Sequence, residues 1–214
     1  MTLPFTHAQF LDLFGAYNTE LGVAVVALWL ISAAALVQYF RGRLGGRAVV
    51  WLLAVHWAWS GVVYHAAFFT RINPAAWLFA ALFVVEAILL VWYGRTTLAS
   101  SDVRLGRRWL ADAFLVAAIA YPGLAVITGH HVPRAPLFAV PCPTVLFTAG
   151  LLLAMGPLLP RSLVVVPVLW AVVGGSAAIT FHVVPDFLLF GAGLALIWFA
   201  VAPGTRTARL RPAA

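Results

Sequence analysis

The chain has 214 residues, of which 64% are hydrophobic and only 9% charged, and its mean hydropathy is +1.02. A water-soluble domain of this length needs a charged exterior that so few ionisable residues do not supply, so the solvent for most of this surface is lipid. The net charge of +7 arises from basic residues that are all Arg and stand in short gaps between apolar runs; they mark membrane topology and exclude a nucleic-acid surface.

In chain order, the first twenty residues lack the basic region and small-residue cleavage site of a secretory leader. Thr6 and Gln9 fit a capping box, and Phe10, Leu13, Phe14 and Tyr17 recur at helical spacing. They predict a short helix over about 7–17 lying on the outer surface of the membrane. Seven apolar runs follow, at 21–40, 48–69, 75–94, 109–129, 143–159, 162–181 and 185–202. Only Pro160 and Arg161 separate the fifth from the sixth. Together they hold about twice the ~20 residues one crossing needs, so they read as two helices joined by a tight turn. Residues 203–214 form a basic tail.

The fold class is therefore all-α: a polytopic bundle of about seven transmembrane helices (21–202) with an interfacial helix before it (1–20) and a short cytoplasmic tail after it. Across these spans one side collects Arg41, Arg43, Arg47, Arg95, Arg104, Arg107, Arg108, Arg161, Arg206, Arg209 and Arg211. The other side has Arg71 and Arg134. The positive-inside rule then places the N-terminus outside and the C-terminus in the cytoplasm. Absence of Lys beside abundant Ala, Arg and Gly suggests a bacterial chain, which makes the compartment the inner membrane. The bilayer is its first partner, and small-residue faces such as Gly174–Ala178 admit a homo-oligomer or a membrane partner.

Ionisable groups inside a bilayer are costly and need partners. His56 and Glu86 lie equally far from Arg71 on antiparallel spans and form a candidate intramembrane pair able to carry a proton. Asp112, one turn into the fourth span, suits a helix N-terminus within reach of Arg107 or Arg108. At the outer end, His65, His130, His131, Cys142, His182 and Asp186 gather, with His7 on the same side. Imidazole, thiolate and carboxylate are ligands for zinc or a softer ion, so His65, His130, Cys142 and Asp186 form a candidate metal set. His65, Asn73, His130 and Asp186 form a candidate ligand-binding set. The lone Cys142 leaves no intramolecular disulfide. Pro122, inside the fourth span, should kink it and free a carbonyl for a neighbour. Trp51, Trp92 and Trp109 fit an inner aromatic belt and Trp77 an outer one.

The strings HWAWSGVVYHAAFFTRINPAAWLF, GHHVPRAPLFAVPCPTVLFTAGLLL and LWAVVGGSAAITFHVVPD resemble a family of bacterial multi-pass membrane proteins of unknown function, a likeness that implies the integral-membrane class and no activity. A looser likeness, through Ser60, His65, His182 and Asp186, is to the seven-helix membrane hydrolases related to alkaline ceramidase. It implies zinc held among the helices, although the paired histidines of their last helix are absent. Microbial rhodopsins need a Schiff-base Lys, and this chain has none. Three functions remain: a small transporter or ligand- or metal-handling protein with an outward-facing site, a membrane-embedded metal-dependent hydrolase, and a structural or partner-binding subunit.

Overall fold

The computed structural model describes residues 4–96, 105–106, 108–156 and 160–202. Among these, helices account for the architecture. They are α1 (His7–Phe40), α2 (Gly46–Trp59), α3 (Ala76–Thr96), α4 (Trp109–Ile127), α5 (Pro141–Met155), α6 (Val165–Thr180) and α7 (Phe187–Val201). A π-helical stretch, Ser60–Phe68, and a 3-10 turn, Phe69–Arg71, prolong α2. Short 3-10 turns, Arg161–Val164 and Val184–Asp186, lead into α6 and α7. The expected Arg104, Arg107 and basic tail with Arg206, Arg209 and Arg211 lie outside the described residues.

Six helical stretches are long and apolar enough to cross a membrane. Their outward faces are apolar too: Trp198 is 72% exposed, Leu194 69% and Ile179 66%, as a lipid-facing surface requires. The seventh helix, α5, is different. At 15 residues it is about 22 Å long, against a hydrocarbon core of roughly 30 Å, and all of it except Cys142 is buried. It runs through the middle of the bundle, touching α2, α4, α6 and α7. Backbones approach closely around it: a Cβ on Gly150 would lie 2.6 Å from Leu115 and 3.0 Å from the Ala111 carbonyl. The small-residue face of α6 packs on α7 in the same way, where a Cβ on Gly193 would meet Ala171 at 2.9 Å.

The N-terminal region departs from expectation. The capping box is present, with Gln9 N donating to Thr6 Oγ1 (3.2 Å) and Thr6 N to Gln9 Oε1 (2.8 Å). The helix it opens does not stop near residue 17. Nothing between Tyr17 and Leu21 breaks the backbone, so the interfacial segment and the first span form one helix of 34 residues, about 51 Å long. Phe10, Leu13, Phe14 and Tyr17 are buried against the bundle rather than laid on its surroundings.

Two side chains of α1 tie down the α4–α5 connection, residues 128–140. Asn18 Nδ2 donates to the carbonyls of Pro133 (2.6 Å) and Ala135 (2.8 Å), and Tyr17 Oη donates to Ala139 O (2.7 Å) while accepting from Trp59 Nε1 (2.6 Å). Further along α1, Trp29 Nε1 donates to Ile119 O (2.9 Å), tying α1 to α4 in the turn before Pro122. Asp112 is bonded by Tyr39 Oη (2.7 Å).

Arg71 and Arg134 share the N-terminal end of the bundle with the Tyr17 and Asn18 contacts, and acids of α1 oppose both. Arg134 pairs with Asp12 (2.6 Å) and Arg71 lies 3.7 Å from Glu20, both exposed and so weak pairs. Trp92 and Trp109 stand exposed at the opposite end, at 64% and 77%, as a belt requires.

Candidate functional site

A cavity of about 180 Å³ opens at the N-terminal end of the bundle. Its walls come from almost every element: Tyr64 from the π-helical stretch, Phe79 from α3, Tyr121 from α4, Cys142 from α5, Trp170 from α6 and Asp186 from the turn into α7. Phe5, Phe10 and Phe14 roof it, with Phe181 stacked on Phe10 at a centroid distance of 4.4 Å and on Phe5 at 5.5 Å. The unbroken course of α1 is what places this roof. Asn73 reaches the wall from the α2–α3 turn, where its Oδ1 accepts from Ala75 N (3.1 Å).

Asp186 is the only formally charged residue in that wall, and it is 2% exposed. Its position before α7 predicts a helix cap, yet its side chain makes no capping bond. It accepts instead a short hydrogen bond from Tyr121 Oη and faces the Cys142 thiol. Trp170 lies across Gly174, where a Cβ would come within 2.6 Å of the indole nitrogen, so a larger residue there would displace the ring from the wall.

His65 sits directly behind this wall. Five rings surround its imidazole: Phe83 at 4.7 Å, Trp170 at 4.9 Å, Tyr64 at 5.3 Å, Phe79 at 5.7 Å and Phe69 at 5.9 Å. Both ring nitrogens are buried without a hydrogen-bond partner among the described residues. His130 lies elsewhere, in a surface depression of about 430 Å³ with His7, His131, Arg134 and His182. Burial, outweighing a backbone hydrogen bond, holds the His130 imidazole below its ordinary value, and the nearby His7 and His131 act in the same direction.

The expected metal set is thereby divided. Cys142 and Asp186 share the cavity, His65 is enclosed by rings and His130 belongs to the depression. No three His, Cys, Asp or Glu side chains among the described residues are placed to share an ion. The expected ligand set divides in the same way, with Asn73 and Asp186 in the cavity wall. The His56–Glu86 pair also does not form. His56 is satisfied by Ser32 Oγ on α1 (3.0 Å) and Leu52 O (2.9 Å), and both carboxyl oxygens of Glu86 are buried without partners among the described residues. Equal depth on two helices does not give equal azimuth: His56 turns to α1 and the rings of Phe138 and Phe147, away from Glu86.

A model of a family described as being of unknown function, DUF6064, matches residues 7–211. The chain belongs to DUF6064. No curated protein and no solved structure matches it. The matched stretch of this DUF6064 protein contains every helix and the whole cavity wall except Phe5. The likeness to ceramidase-related hydrolases finds no support in these comparisons. Geometry does not favour it either, since Ser60 Oγ bonds Thr144 Oγ1 (3.2 Å) while His65 is caged by rings. Neither Trp170 nor Tyr121 was singled out by sequence reasoning. A Tyr hydroxyl in mid-span, needing an acceptor, was the available signal.

Proposed function

We propose that this DUF6064 protein is a small-ligand-handling protein of the bacterial inner membrane, a carrier or receptor whose cavity opens to the outer face and takes a compact, mainly apolar molecule. The supporting observation is the buried Asp186 carboxylate, which lies in the wall of an aromatic cavity and is bonded by Tyr121 instead of capping α7. An apolar enclosure with a few convergent polar groups is the usual form of a small-molecule site. Its size suits a ligand with one ring, since cavities of roughly 150 Å³ admit benzene.

Ala177 lines the cavity, and Ala177→Phe adds a ring to it while leaving Asp186 in the sequence. In lipid nanodiscs, toluene is expected to raise the unfolding temperature of the wild type and to leave that of Ala177→Phe unchanged. The same shift in both proteins, or none in either, would contradict a ligand cavity.

A further inference from the structure

We infer that the ligand of this cavity is an organic cation, an amine or quaternary ammonium on a small apolar body, with Asp186 as its counter-charge and the aromatic wall as its cage. The inference rests on the ligand-handling reading and names its chemical class. Its first support is the sign of the site. Asp186 is the one formal charge in the wall, and the two arginines at this end of the bundle face other acids, Arg134 with Asp12 and Arg71 with Glu20. A carboxyl buried in an apolar surround ionises readily only with a cation beside it, and among the described residues no basic side chain lines the cavity to supply one.

The second support is the wall itself. Nine of its residues are aromatic, among them Phe10, Phe14, Tyr64, Phe79 and Trp170, and ring faces attract a desolvated cation. Hard metal ions need several oxygen, nitrogen or sulfur ligands, which are not assembled here; a weakly hydrated alkylammonium needs one carboxylate and ring faces. Tyr121 is the positioning residue. By donating to Asp186 Oδ1 it fixes the carboxylate toward the cavity and away from the N-terminus of α7.

Occupancy is read as protection of the chain against thermal unfolding as the concentration of a probe is raised. The probes are phenyltrimethylammonium and its uncharged isostere tert-butylbenzene, applied to the full chain in lipid nanodiscs. The cation is expected to protect the chain at a concentration at least about tenfold lower than the isostere. Asp186→Asn should abolish that preference while protection by tert-butylbenzene persists, which shows that the variant is folded. Equal protection of the wild type by both probes would overturn the cationic assignment and leave the ligand cavity standing. Protection by neither would overturn the cavity reading as well. A preference for the cation that survives Asp186→Asn would remove Asp186 as the counter-charge.

Discussion

The two ends of the bundle are packed on different principles. Away from the cavity, Leu146, Leu151 and Leu152 of α5 pack in one core with Leu115 and Leu196, and glycines bring backbones within a methyl group of their neighbours. Around the N-terminal third of α1, the core is instead Phe5, Phe10, Phe14, Tyr17, Tyr64, Phe69 and Phe181. Aliphatic side chains interlock around these glycines, whereas flat, stiff rings, some stacked and some edge to face, enclose the cavity between them. One end fixes the fold, and the other carries the site.

Four substitutions sharpen or break that contrast. Gly150→Leu should have the largest effect, because its Cβ alone meets Leu115 and the Ala111 backbone. A loss of about 3 kcal/mol or more is expected, read as a collapse of the thermal transition in detergent. Tolerance of Leu there would mean that the aliphatic end is loosely packed. Tyr17→Phe removes the acceptor of Trp59 Nε1 and the donor to Ala139 O, and should cost about 1–3 kcal/mol with proteolysis beginning in the 128–140 connection.

Glu86→Leu should act in the opposite direction. It replaces a buried carboxyl without partners by a side chain of similar volume, so the unfolding temperature should rise by the equivalent of about 1–2 kcal/mol. A fall would mean that Glu86 has a role the bundle depends on. The smallest effect concerns His130. Its folded-state value lies below the ordinary 6.5, so above that pH it is neutral in both states and its contribution is complete. As pH falls through about 6.5 the unfolded chain binds a proton first, and stability declines. Unfolding temperatures measured between pH 7.5 and 5.5 should fall less steeply in His130→Gln than in the wild type (range set by the ordinary imidazole value, about 6.5).

The helices were legible because bilayer thickness writes itself into run length. The predicted runs 48–69, 75–94 and 185–202 fall within a few residues of Gly46–Arg71, Ala76–Thr96 and Val184–Val201. Depth along each helix was legible for the same reason. Azimuth was not, because helices apolar on every side show no preferred face, and the pairing of His56 with Glu86 failed on that account. Asp186 was recognisable as a polar residue at a helix mouth, yet its partner Tyr121 lies 65 positions away on another helix. The continuity of α1 was missed because Asn18, Thr19 and Glu20 look like a break in an apolar run, although none of them stops a helix. Asn18 is instead buried as the clamp on the 128–140 connection.

The central claim, that the cavity opens to the outer face of the membrane, is tested most directly by the sidedness of a cysteine placed at His131, exposed at the same end of the bundle, in a Cys142→Ala chain. A membrane-impermeant cationic methanethiosulfonate applied to intact cells should modify it, and the same reagent applied to inside-out vesicles should not. Modification confined to inside-out vesicles would contradict the account.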